Sequence, residues 1–196
     1  RWPVYGSAAT LDALPAVAAR WRRPLVAGVT EALDGFTIDP VAIPHDAAGP
    51  LAYAITATDS GARVAVAHAL GAVPEPLRRT FMHCDVLCIE ANHDVEMLRS
   101  GPYPWHLQQR IRGGLGHLSN AQGGALLAEL AGPALRAVVL LHLSETNNTP
   151  RLAEQDVGAR LRKVKYEGPV LAAPRRVPAV AFDLDGPPAW RPGTTE

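Results

Sequence analysis

The sequence has only two cysteines, no excess of charge of either sign and no long apolar run, and each shortage closes off a class of protein. Cys84 and Cys88 fall on one expected strand, where they point to the same face but stand too far apart along it for a disulfide. His83 and His93 lie nearby, so a zinc site is conceivable. The tight Cys-x-x-Cys turn of structural zinc sites is missing, however, and two small buried apolar residues are the expected role. Lys and Arg number 19 against 19 Asp and Glu, for a formal net charge of zero. That balance argues against a broad basic surface for nucleic acid, though a local Arg cluster can still contact a few phosphates. No apolar run reaches the length that crosses a bilayer, and no charged-then-apolar leader opens the chain, so no membrane is expected and the cytoplasm is the default location.

What remains is a chain of 196 residues, enough for one domain with a sizeable core. Leu11, Leu14, Val17 and Ala18 recur at helical spacing over residues 7–21, with Ser7 as cap and Pro15 expected to kink or shorten the helix. Residues 36–38 and 41–43 read as short strands. Residues 51–56 and 63–67 read as a hairpin around Thr58-Asp59-Ser60-Gly61, which makes Asp59 a loop residue. A short helix over 74–81, a strand over 85–90, a short helix over 107–111 and a helix through residue 130 follow. Ser119 or Asn120 caps the last of these. A buried strand over 137–141 leads to Thr149-Pro150, a good start for a helix over 152–164. Residues 170–173 and 180–182 read as edge strands, and the tail after Asp185 as loose.

Three polar blocks interrupt this pattern between residues 83 and 150: Glu90-Ala91-Asn92-His93-Asp94, Gly116-His117-Leu118-Ser119-Asn120, and His142 through Pro150. The first and third follow buried strands, where the ends of parallel strands open onto a crevice that loops can line. The run Ile-Glu-Ala-Asn-His-Asp resembles a bacterial branch of the metallo-β-lactamase-fold hydrolases. So do Gly-Pro-Tyr-Pro-Trp, Gln-Arg-Ile, Gly-His-Leu-Ser-Asn and His-Leu-Ser-Glu-x-Asn-Asn-x-Pro. The branch is the WalJ/YycJ-like, exonuclease-like one, and the resemblance runs from Pro3 to about Pro178.

The resemblance implies an α/β (α+β) fold of the αβ/βα sandwich type. It also implies two divalent metals, zinc or manganese, and a phosphodiesterase acting on DNA ends. His45 and His142 correspond to metal ligands of that family and His117 to its proton donor, while Asp46 would be a loop residue or one step behind the metals. For His45 and His142 the alternative is a histidine with a purely structural bond. Ser119 and Asn120 could hold a phosphate at a helix start or serve only as caps. Glu90, Asn92 and Asp94 could orient ligands or line the cleft. Asn147 and Asn148 could simply satisfy loop backbone, and Arg110 and Arg112 are candidate phosphate contacts or solvated surface.

Two departures limit the resemblance. No two histidines are separated by a single residue, so the family's His-x-His-x-Asp-His is missing. Aligned on Leu70-Gly71, the bridging aspartate is replaced by Ala69, which coordinates nothing. His68 could take its place only if the strand end twists or bulges, because neighbours on a strand point to opposite faces. The chain starts at Arg1 with a strand-like segment, so the expectation is a partial domain over residues 1–185 lacking its first strands, with a flexible tail over 186–196. Such a domain would expose apolar surface and pair with another copy or lean on the missing segment. Little or no activity is expected of it, and a non-catalytic binding module is the alternative.

Overall fold

Small and β-branched residues in the middle of the chain build one sheet, and the helices cover its apolar face. The computed structural model describes residues 2–174. β1 (Val4–Gly6) leads into α1 (Ala8–Asp12), whose cap Ser7 accepts from the Thr10 N–H as expected. The helix expected to reach residue 21 ends early. Pro15 brings no N–H and crowds the preceding turn, so helical structure returns only as a single 3-10 turn at Ala19–Trp21. β2 (Arg22–Pro24) pairs with β1 in a separate parallel pair.

β3 (Glu31–Leu33), β4 (Phe36–Ala42), β5 (Leu51–Ala57) and β6 (Arg63–Ala67) then form an antiparallel meander. The two short runs read at 36–38 and 41–43 merge into one strand that carries Pro40. Proline fits there because β3 pairs only as far as Ile38, and on that open edge the Pro40 carbonyl accepts the Gly28 N–H at 2.8 Å. The β5–β6 hairpin is as expected, with Asp59 accepting the Ser60 N–H in the turn at 2.7 Å.

From α2 (Glu75–Phe81) onward the sheet becomes parallel. β7 (Val86–Glu90) joins β6, and α3 (Val95–Ser100), α4 (Trp105–Arg112) and α5 (Asn120–Leu130) carry the chain to β8 (Ala137–Leu141). α6 (Pro150–Lys163) connects to β9 (Val170–Ala172). The seven strands lie in the order β3-β4-β5-β6-β7-β8-β9. Leu77, Phe81, Leu87, Ile89, Leu127, Leu140 and Leu161 are wholly buried between the sheet and the helices. Each contributes about 1.5–3 kcal/mol of transfer free energy. The strand read at 180–182, the tail and the boundary at residue 185 lie outside the described residues. Among the described residues no helix is long and apolar enough to cross a membrane.

One contact sets the geometry of the site. A side chain at Gly123 would collide with the Glu90 carbonyl, so only glycine lets α5 begin directly against the end of β7. Residues 117–120 are thereby held against that strand end.

Candidate metal centre

β6, β7 and β8 end side by side, with Ala67 level with Ile89 and Glu90 level with Leu141. Immediately after or at these ends come His68, Glu90 and His142. The loop after β4 adds His45, and the turn before α5 adds His117. Ring centroids are 5.0 Å apart for His45 and His117, 5.0 Å for His117 and His142, and 5.6 Å for His142 and His68. The imidazoles at 45, 117 and 142 thus share one cleft, and His68 packs beside His142 without lining it. The twist that His68 required is present, since β6 stops at Ala67 and Ala69 takes a φ of 54°.

Glu90 organises the cluster. Its carboxylate is fully buried and accepts five N–H groups: the backbone of Ala69, Leu70 and Leu118, and Nδ1 of His117 (2.9 Å) and His142 (2.6 Å). Burial alone would raise its pKa. The hydrogen bonds from His117 and His142, the charge of His117 and the Leu118 N–H outweigh burial and hold it at about 2. An ionised carboxylate only accepts, so Nδ1 carries the proton in both rings and Nε2 is left with a lone pair when the ring is neutral. His45 arrives at the same tautomer by another route, because its Nδ1 faces the carbonyls of Leu115 (3.0 Å) and Gly116 (3.1 Å). Partial desolvation, and next the charge of His142, push the pKa of His68 below the ordinary histidine value against the opposing pull of Glu90.

His142 is itself held in an unfavourable backbone conformation, with a φ of 57°. A non-glycine residue there costs roughly 1–2 kcal/mol. Asn92 offsets part of this cost by donating its side-chain amide to the His142 carbonyl at 2.8 Å. The cleft in front of the rings has a volume of about 520 Å³, and Tyr103, Arg110 and Ser144 line it together with His45, His117 and His142.

The other expected residues fall elsewhere. Ser119 and Asn120 are buried at 3% and 1% exposure and do not present their side chains to the cleft. Ser119 forms a reciprocal capping box with Gln122, and Asn120 exchanges two amide hydrogen bonds with Asn148. Ser119 is thus the cap of α5, while the Asn120 side chain ties that helix start to Asn148. Asp94 is the N-cap of α3, a helix the sequence did not suggest, and accepts the Met97 N–H at 2.8 Å. Asp46 is bound by Arg110, whereas Arg112 does not line the cleft. Asn147 is fully buried and the Ser144 hydroxyl accepts its backbone N–H, whereas the Asn148 amide donates to the Ala91 and Asn92 carbonyls, the loop role weighed for it. Burial, and next Cys84, raise the Cys88 thiol to about 11, which leaves it an unreactive packing residue. His93 is buried, and desolvation lowers its pKa to about 4, so it is neutral.

Among the described residues, the one cluster whose ligand atoms lie within 4.8 Å of one another is Glu90, His117 and His142. Because Glu90 is already saturated by N–H donors, it stands behind the rings and fixes them, as carboxylates do behind metal-bound histidines. The donors left for a cation are imidazole nitrogens with a preset tautomer, a set that suits a divalent metal ion.

No protein-family model matches the chain. The exodeoxyribonuclease WalJ of Streptococcus pneumoniae is 36% identical over 126 residues, which cover 64% of this chain and 46% of that protein. The exodeoxyribonuclease YycJ of Bacillus anthracis is 31% identical over the same length, covering 47% of it. The chain therefore spans about half the length of the curated relatives it matches. Among solved structures, the metallo-β-lactamase fold protein YhfI from Bacillus subtilis aligns over 87% of this chain and 61% of its own, with a TM-score of 0.61 at 17% identity. The chain has the metallo-β-lactamase fold. Zn(2+)-bound PqqB from Methylobacterium extorquens shares the fold, with a TM-score of 0.59 at 20% identity over 86% of this chain and 61% of that one. In this metallo-β-lactamase fold the imidazole cluster sits at the carboxyl ends of the parallel strands. The similarity to WalJ and YycJ agrees with the resemblance read from the motifs.

Proposed function

We propose that the chain carries part of the active centre of a metal-dependent hydrolase of the metallo-β-lactamase superfamily that cleaves phosphodiesters, with DNA as substrate. The observation that carries this reading is the single carboxylate, Glu90, that fixes His117 and His142 with the same tautomer in one cleft. His45 would hold one divalent cation and His142, with His68 beside it, a second, zinc or manganese, each through Nε2. When bound, the cation supplies a Lewis acid that makes hydroxide available near neutral pH and offsets charge on phosphate oxygens. His117 is the proton donor. With Nδ1 tied to Glu90, it presents Nε2 to the leaving oxygen, and the carboxylate stabilises the imidazolium that must form first. Ser119 and Asn120 contribute by holding the turn that carries His117, and Asn92 by holding His142. The exodeoxyribonuclease names of the sequence relatives support DNA as the substrate class.

A second reading, a non-catalytic binding module, is favoured by Ala69, which coordinates nothing at the position compared with the bridging aspartate. Hydrolysis of bis(p-nitrophenyl) phosphate and of single-stranded DNA with zinc, manganese or a chelator separates the two. The enzyme reading expects slow cleavage that a chelator stops and His117→Ala abolishes. DNA binding with no metal-dependent cleavage supports the module. A chain that takes up neither cation nor DNA refutes both.

A further inference from the structure

The cleft contains a cation that the chemistry above does not use. Helical spacing places Leu107, Arg110 and Ile111 of α4 on its wall, facing the same space as His45 and His117. Arg110 is anchored by Nε and Nη2, each 2.6 Å from Oδ2 of Asp46. A guanidinium has five N–H donors in a planar fork, and the remaining ones have no partner among the described residues. The side chain is 69% exposed, so a ligand can reach it.

Its position relative to the rings is fixed from both sides. The His117 N–H donates to the Ile111 carbonyl at 2.8 Å, one residue beyond Arg110. Asp46 follows His45, and its own N–H donates to the Leu115 carbonyl at 3.2 Å. A side chain at Gly116 would strike the Arg110 and Ile111 carbonyls, so the turn closes tightly onto the end of α4. His45, Asp46, Arg110 and His117 therefore form one braced unit. A surface ion pair with no other duty contributes little to stability. This one holds a bidentate anion fork at a set distance from the two rings.

We propose that Arg110 is a phosphate-binding residue for the nucleotide next to the scissile bond, held in readiness by Asp46, and that it selects oligonucleotides over isolated phosphodiesters. This rests on the reading of DNA as substrate. Arg112, two residues on, does not line the cleft and takes no part.

Binding can be read without turnover by measuring the anisotropy of a fluorescein-labelled single-stranded deoxyoligonucleotide in chelator across a salt series. Each phosphate contact to a single strand contributes about 0.7 to the slope of log affinity against log salt. Arg110→Gln is expected to lower that slope by about 0.7 and to weaken binding roughly tenfold at low salt, with Arg110→Lys intermediate. Arg112→Gln should leave the slope as it is. Asp46→Asn, which keeps an oxygen acceptor for the guanidinium and removes the charge that competes with phosphate, should strengthen binding. The opposite signs of the Asp46 and Arg110 variants separate a binding role from loss of a structural tie, which would weaken binding in both. Wild-type binding that Arg110→Gln leaves unchanged, or that Arg112→Gln weakens equally, overturns the assignment of Arg110 alone. Absence of wild-type binding overturns the DNA reading and the assignment with it.

Discussion

The rings of His68 and His142 lie 5.6 Å apart, centroid to centroid, at a tilt of 52°, although they leave two different strands. The pairing exists because the chain turns through the left-handed conformation at Ala69 and again at His142, bringing both side chains to the same rim. If these two share a cation, removing either must weaken it. Calorimetric titration of zinc is expected to show loss of at least tenfold in affinity for His68→Ala and a larger loss for His142→Ala, whose ring Glu90 also orients. Equal zinc binding by His68→Ala and the parent would leave His68 a bystander.

The buried carboxylate gives an acid-stability signature. Glu90 titrates at about 2 in the fold against 4.5 for an ordinary glutamate, so the unfolded chain binds the proton more readily. Its contribution is fully present above about pH 4.5 and is lost as pH falls through that value toward 2. The shift corresponds to about 3 kcal/mol. Urea unfolding of the parent from pH 6 to pH 3 should show falling stability. Glu90→Gln, less stable at pH 6 by roughly 2–4 kcal/mol, should show a shallower fall. Parallel pH profiles for the two proteins would contradict this account.

The sequence revealed different parts of this site to different degrees, for physical reasons. His142 was legible because a continuous apolar run delivers it, and such a run can only be a buried strand with a rigid end. The helix starts at Ser119 and Thr149 were legible from local hydrogen-bonding chemistry. Local chemistry could not show whether Ser119 and Asn120 face a ligand or the interior, because a cap and a phosphate cradle use the same N–H groups. Glu90 was seen only as one member of an acidic patch. Its donors come from residues 69, 70, 117, 118 and 142, a convergence that no spacing along the chain encodes. The merging of two runs through Pro40 depended on where β3 stops, which is equally a tertiary fact.

The reciprocal amide pair of Asn120 and Asn148 ties the turn before α5 to the turn before α6. Asn148 Nδ2 also reaches the carbonyls of Ala91 at 2.8 Å and Asn92 at 3.2 Å. Asn148→Ala takes the Nδ2 donor from the Ala91 carbonyl and Asn120 Oδ1, while the Asn92 carbonyl keeps the Ser144 N–H, and this loss costs roughly 1–3 kcal/mol. Urea unfolding should report that loss, and zinc affinity should fall with it, since Asn92 holds the His142 carbonyl. A destabilised variant with unchanged zinc affinity would mean that this pair supports the fold and not the site.

Ala69 offers the most direct choice between a weakened enzyme and a module. Its φ of 54° is costly for alanine, and its N–H is committed to Glu90 Oε1 at 3.0 Å. Glycine keeps that bond and removes the steric cost, so Ala69→Gly should stabilise the protein by roughly 0.5–1 kcal/mol, less than the full strain because glycine is freer when unfolded. Aspartate also tolerates this conformation, but it would bring a second carboxylate close to buried Glu90. Without a cation the like charges repel, and Ala69→Asp should lose stability. With zinc present the added carboxylate becomes a ligand, and binding restores more stability than it gives the parent, by the ordinary linkage between affinity and folding. Thermal melts of parent, Ala69→Gly and Ala69→Asp, each with zinc and with chelator, therefore have a defined pattern. The aspartate variant should melt lowest in chelator and gain most on adding zinc. A zinc response no larger than the parent's would show that position 69 does not face the cation, and the comparison with the bridging aspartate would fail.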